Sequence, residues 1–234
     1  PEPASAPAMR TGNVTRLWNE ARPVAGTLAE RYLAGRFLLP IAGDLRFHPR
    51  CPFGRKPLTV FRPTLLVAIR EGATLVGVQR IALDPASAAY THKVTLGQLG
   101  AGAWQGGGHG ARIALAEGFE SARAWSILHD DMPCWTSLGS RRLDLVEVPD
   151  SVTDLTLAGD NDAPGRLAVR KAIRRYVSAT RIVPRTTGAM RTSVTTAVTA
   201  SVARSRRRPA TGRHRPSHSH QRPTSTAEAS ARPA

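Results

Sequence analysis

The chain has 234 residues, 33 Lys and Arg against 17 Asp and Glu, and a formal net charge of +16. That length allows one good-sized domain or two small ones with a real core, and the basic excess points to a polyanionic partner such as DNA or RNA, with a solvated cationic tail as the plainer alternative. No apolar run approaches the ~18 residues of a membrane span, and Cys51 and Cys134 belong to no CxxC pair, which excludes a zinc ribbon and leaves a cytoplasmic protein with reduced thiols and no membrane role.

The Pro/Ala-rich stretch 1–12 is expected to be a flexible leader. VTRLWNEARPVAGTLAERYLAGRFL (14–38) spaces Leu17 and Trp18, then Leu28, Tyr32 and Leu33, as two helices, with Gly26 as the break and Thr27 as N-cap. After Pro40 the pattern changes to short strands at 45–49, 64–71, 74–83 and 92–97, with a hairpin at Glu71-Gly72. His48 and Cys51 are ordinary residues, since no second ligand pair follows them. The Gly-rich segment 97–110 reads as a mobile connector, or as a turn close to a ligand; it lacks the Lys-Ser/Thr ending of a phosphate loop.

From Ala111 the pattern alternates. Strands are expected over 112–118, 133–139 and 154–162, helices over 120–130 and 164–179, and a last strand over 180–184, with 141–149 ambiguous. Strands separated by helices of this length imply an α/β fold with a parallel sheet, whose active site lies outside the carboxyl ends of the strands. Beyond about Pro184 the composition turns to Thr, Ser, Ala, Arg and Pro. After Ile182 there are 10 Arg and 1 acid, and the expectation is a disordered basic tail in which His214, His218 and His220 have no function.

Burying an unpaired carboxylate costs several kcal/mol, so Glu117, Asp160 and Asp162 at strand ends need a reason. Asp160 and Asp162, two apart on an extended segment, would share a face and repel unless a cation lay between them. Hard oxygen ligands select Mg²⁺ or Mn²⁺. Gly165 and the helix beside it offer a backbone turn and a positive helix end suited to phosphate. Glu117, with Gly118 behind it, could hold a second metal or take a proton from an attacking hydroxyl. The plainer reading is that the aspartates only cap the helix that follows.

Glu117-Gly118 at one strand end and Asp160-Asn161-Asp162-x-x-Gly165 at another resemble a Toprim domain, the metal-binding unit shared by bacterial primases, topoisomerases and some nucleases. LAEGFESARAW, PCWTSLGS and LTLAGDNDAPGRLAVRKA look most like primase-type Toprim proteins of phages, plasmids and integrated elements. LRFHPRCPFG, LVGVQRIALDP and HKVTLGQLG resemble the stretch before Toprim in the same group, and the likeness spans residues 14–182. It implies a Toprim-like Rossmannoid parallel sheet with helices on both faces (111–184), preceded by a smaller α+β subdomain (13–110) and followed by the tail (185–234).

By this resemblance Glu117, Asp160 and Asp162 are the catalytic acids and the ligands of Mg²⁺ or Mn²⁺. Arg80, Lys93, Gly118 and Gly165 would face phosphates of nucleic acid or nucleotide. The implied function is primase-like nucleotidyl transfer in DNA replication, with a single-stranded DNA template, NTPs and a separately encoded helicase as partners. Three departures from the primase pattern are expected: no zinc ribbon, no helicase module, and a fold that ends after TRIVP where relatives carry further acids. They keep two alternatives open, a catalytically incomplete nucleic-acid-binding remnant and a Toprim-type nuclease.

Overall fold

The computed structural model describes the backbone of residues 6–181 and 191–197 and the side chains of residues 13–177. α1 (Ala6–Glu20) buries Val14, Leu17 and Trp18, a stripe at helical spacing. It begins inside the stretch expected to be a flexible leader. Ala6, Ala8, Met9 and Arg10 are good helix formers, and Pro7 falls in the first turn, where its missing N–H has no intrahelical partner to lose. Thr27 caps α2 (Leu28–Gly35) as its residue type predicts, with extended backbone and a side chain accepting the Ala29 N–H at 3.2 Å.

Four strands then form an antiparallel sheet in chain order: β1 (Leu45–Phe53), β2 (Val60–Glu71), β3 (Thr74–Leu83) and β4 (Tyr90–Gly97). The β2–β3 hairpin turns on Gly72, whose φ of 57° suits glycine. Leu65, Val67 and Ile69 of β2 join Ile81 and Leu83 of β3 in a core shared with α2. Leu66, Ala68, Val78 and Ala82 point the other way, against Val14, Leu17 and Trp18 of α1. Because both faces are covered, β2 reads as an unbroken apolar run and not as an alternation.

The chain continues through β5 (Arg112–Ala116), α3 (Phe119–Leu128), β6 (Cys134–Thr136), a 3-10 turn at Ser140–Arg142, β7 (Asp154–Asp160), α4 (Ala163–Arg181) and β8 (Arg191–Ala197). These strands form a parallel sheet in the order β6-β5-β7-β8. Ala114 and Ala116 share a core with Phe119, Ala122 and Trp125 of α3, while Ile113, Leu115, Leu155 and Leu157 pack on Ala168, Val169 and Ala172 of α4. The fold is therefore α/β, with helices on both faces of a parallel sheet and a separate antiparallel sheet before it. The ambiguous stretch 141–149 is irregular. It is pinned by buried Leu143 and Val146, whose carbonyls share the Tyr176 hydroxyl of α4 at 3.0 and 2.9 Å.

Three further expectations need correction. α4 runs on through Arg181, so Thr180 and Arg181 are helical where a strand over 180–184 was expected. The edge strand is β8, inside the stretch 185–234 expected to be disordered. Thr192, Val194, Thr195 and Thr196 are β-branched, and a strand added at a sheet edge needs backbone pairing more than large apolar side chains. The remainder of that stretch, with its histidines and most of its arginines, lies outside the described residues.

The third correction concerns the Gly-rich segment, which is a strap and not a mobile connector. Ala103 exchanges both backbone hydrogen bonds with Arg70 of β2 (2.8 and 2.9 Å), and Trp104 does the same with Thr136 of β6 (3.0 and 3.1 Å). The Trp104 ring is fully buried against Phe119, and its Nε1 donates to the Gly43 carbonyl at 3.1 Å. Gly106 passes so close to Gly43 that a Cβ there would stand 1.9 Å from the Gly43 oxygen. Among the described residues no helix is long and apolar enough to cross a membrane.

Candidate active site

All strands of the parallel sheet end at one edge, and between β5 and β7 the connections diverge. β5 leads to β6 on one side and β7 to β8 on the other. Such a divergence leaves a crevice outside the carboxyl ends of the two strands. Glu117 directly follows β5 and Asp160 ends β7, and the pairing of Ala116 with Ala158 sets Glu117 level with Gly159.

Glu117 is only 8% exposed, and its Oε1 accepts the Asp160 N–H at 3.2 Å. Burial pushes its carboxyl above the usual carboxylate range; the Asp160 N–H opposes this, and the negative charges of Asp160 and Asp162 add to the rise. The turn fits over Glu117 only because it carries glycine. A Cβ on Gly165 would stand 2.3 Å from the Asp160 carbonyl oxygen and 2.8 Å from Glu117 Oε1.

Asp162 is not on the strand with Asp160, as its spacing had suggested. β7 ends at Asp160, and Asp162 is the N-cap of α4: its Oδ1 accepts the Gly165 N–H at 2.7 Å and its carbonyl accepts from Arg166 N at 3.0 Å. The capping reading therefore applies to Asp162, and Gly165 belongs to the first helical turn. Gly118 is the extended N-cap of α3, where a Cβ would meet only Ser121 Oγ at 3.8 Å, an ordinary contact.

Among the described residues no group of three or more His, Cys, Asp or Glu side chains is gathered closely enough to hold a metal ion. The donor chemistry still fits a hard divalent cation. Glu117 and Asp160 stand at the carboxyl ends of neighbouring strands, and the Glu117 carboxyl, raised mainly by burial and further by the charges of Asp160 and Asp162, is a group that a cation would favour in its ionised form.

Arg80 and Lys93 do not share a surface. Lys93 pairs across the sheet with Ile81 and Arg80 with Val94, which puts them on opposite faces of neighbouring strands. Lys93 is spent on an ion pair with Glu120 at 2.6 Å and lies over the Tyr90 ring at 4.7 Å. Arg80 points to the α1 side, where it stacks over Phe53 at 4.7 Å and donates to the Pro52 carbonyl at 2.8 Å.

Glu120 and Tyr32 escaped the reading of motifs. Glu120, in the first turn of α3, receives the Tyr32 hydroxyl as well as Lys93. Burial works to raise its carboxyl, but Lys93 and Tyr32 outweigh this and hold it below the ordinary value. The same burial and the same carboxylate push the Tyr32 phenol upward. An acid three residues after Glu117 was a visible signal. Its partners, on α2 and β4, were too far away in sequence to be paired with it.

The family described as a domain of unknown function, DUF7146, matches residues 8–106. No curated protein matches the chain. Among solved structures, the DnaG primase catalytic domain bound to ssDNA is 13% identical, with a TM-score of 0.53 over 82% of this chain and 72% of that one. A DNA primase domain from Pseudomonas aeruginosa is 14% identical, with a TM-score of 0.47 over 73% of this chain and 67% of that one. The primase fragment of the bacteriophage T7 primase-helicase protein is 14% identical, with a TM-score of 0.42 over 75% of this chain and 63% of that one. At such identities the likeness is one of fold, and the fold is similar to that of a DnaG-type primase catalytic domain.

Proposed function

We propose that this chain carries a Toprim-type site of the primase kind and works in DNA replication, transferring nucleotidyl groups on a single-stranded DNA template. The observation that supports the reading is Glu117, buried at the carboxyl end of β5, accepting the Asp160 N–H from the end of β7, with the charges of Asp160 and Asp162 adding to the rise of its pKa. Mg²⁺ or Mn²⁺ would be held by these three residues. When bound, the metal supplies Lewis-acid stabilisation of the attacking and leaving oxygens.

The protein's own contribution is positional. The Asp160 N–H orients Glu117, a carboxylate whose raised pKa suits it to accept a proton from an attacking hydroxyl. Asp162 fixes the start of α4, whose first-turn N–H groups favour phosphate beside the acids. NTPs, a separately encoded helicase and a cytoplasmic setting belong to the same proposal, as do the division into a 13–110 subdomain and a 111–184 Toprim unit and an origin in a mobile element.

The test is primer synthesis on single-stranded DNA with NTPs and Mg²⁺, alongside Mn²⁺ binding by titration, for the wild type and the D160N/D162N variant. Asn caps a helix as well as Asp does, so stability should hold. Synthesis should fall by about a hundredfold or more and Mn²⁺ binding should weaken, because amides are poor ligands for a hard cation. DNA affinity in EDTA should persist or rise as repulsion of phosphates is relieved. Synthesis that survives the substitution overturns the site. The loose spacing of the acids favours a second reading, a nucleic-acid-binding remnant without catalysis; a wild type that binds DNA but neither makes primers nor binds Mn²⁺ would select it. Metal-dependent nicking without NTPs would point to a nuclease.

A further inference from the structure

α4 carries no acid anywhere between Ala163 and Arg181. Its inner face is that of an amphipathic helix, with Ala168, Val169, Ala172 and Tyr176 buried in the core. Its outer face exposes Arg166, Arg170 and Arg174 at four-residue steps, with Lys171 and Arg175 in the adjoining row. Arg166 donates to the Asn161 carbonyl at 3.3 Å, and Lys171 pairs with Asp144 at 3.0 Å. Among the described residues, Arg170, Arg174 and Arg175 form no ion pair.

A solvated helix face ordinarily mixes acids with bases, because opposite charges four residues apart attract and like charges repel. Along this face every charged pair at that spacing is repulsive: Arg166 with Arg170, Arg170 with Arg174, and Lys171 with Arg175. Arg166 also stands in the first turn, where the positive helix end disfavours a cation. Aliphatic side chains lie among these cations. Leu167 is 61% exposed and Val177 40%, and they stand about 15 Å apart along the axis, close to three turns. Leu145, on the stretch that Lys171 and Tyr176 hold beside the helix, is 48% exposed.

The mixture discriminates between anionic partners. A nucleic-acid duplex would match the arginines and leave Leu167 and Val177 in water. An unpaired base would find no exposed aromatic ring to stack on, since Tyr176 is buried. An acidic amphipathic helix supplies both halves: carboxylates for the arginines, and an aliphatic stripe for Leu145, Leu167 and Val177. We propose that the outer face of α4 is a docking surface for an acidic amphipathic helix of a protein partner. The residues it uses lie on the side of α4 opposite the one packed in the core. Docking there needs no metal and no nucleotide, so the proposal stands or falls apart from the function proposed above.

The probe is a labelled synthetic peptide of Glu and Leu, about five helical turns long, with its leucines on one face. Its binding to the full chain is followed by fluorescence anisotropy over a range of salt. Arg170, Arg174 and Leu167 are exposed, so variants at these positions should keep the fold. R170A/R174A should weaken binding about tenfold and reduce its salt dependence. L167S should weaken it by about three- to tenfold and leave the salt dependence unchanged. R36A/R55A, which removes two exposed arginines outside α4, should cost less than about twofold. A peptide of the same composition with its leucines scattered around the helix should bind about tenfold more weakly than the striped one.

Equal losses in the two arginine pairs, or equal binding of the two peptides, would reduce the effect to net charge and overturn the proposal. A DNA duplex of about 20 base pairs serves as the competing ligand. If R170A/R174A weakens duplex binding as much as peptide binding, and L167S weakens neither, the face belongs to nucleic acid and the protein partner is overturned. A photocrosslinking group at the centre of the peptide should mark the segment 163–177; crosslinks confined to other parts of the chain would overturn the placement.

Discussion

Burial and two neighbouring carboxylates both favour the protonated form of Glu117. A carboxyl whose folded pKa stands above its unfolded value lowers stability once it ionises. The cost is absent below the unfolded pKa, grows as pH climbs through the interval up to the folded pKa, and is complete above it. E117Q keeps an oxygen that can accept the Asp160 N–H and removes the charge. Its Tm in EDTA should therefore exceed that of the wild type at about pH 7 and match it at about pH 3.5. Thermal melts of both proteins at the two pH values check this. A variant no more stable at neutral pH would mean that Glu117 is better solvated than its 8% exposure indicates.

At the scale of elements, the stretch between β6 and β7 has little regular structure and depends on α4 to hold it. Tyr176 does so through one hydroxyl shared by the Leu143 and Val146 carbonyls. Y176F deletes that hydroxyl and leaves the ring in place, so it should cost about 1–2 kcal/mol and lower the denaturation midpoint at an unchanged m-value. Chemical denaturation of the pair measures it. The elements that were readable in the sequence carry local signals: Thr27 ahead of an apolar stripe, Gly72 between two strand patterns, and acids where the apolar runs of β5 and β7 stop. Those that were not depend on partners remote in sequence. Glycine at 106 says that the backbone is free, and only the fold shows that it must pass against Gly43. The parity of Arg80 is fixed within β3 and that of Lys93 within β4, but their relation follows from the pairing of Ile81 with Lys93. β8 pairs through its backbone, so its composition resembled the tail around it.

For the whole molecule, the end of the fold falls later than the apolar pattern suggests. The described residues through β8 belong to one compact unit, and β8 supplies the outer neighbour of β7. A chain cut after residue 202 should melt like the full protein, whereas one cut after residue 184 loses β8 and bares the edge of β7, and should melt lower and aggregate more readily. Calorimetry with light scattering separates the two, and equal melting would show that β8 adds nothing to the sheet. The strap at Ala103 and Trp104 bears on how the protein comes apart. Two consecutive residues are stitched to different sheets, one to Arg70 and the next to Thr136. Peeling either sheet away pulls on a peptide bond whose far side is anchored in the other. The expected consequence is that the two sheets open together: an opening large enough to let protease or solvent reach one core should expose the other, and the described fold should meet heat or denaturant as a single cooperative body.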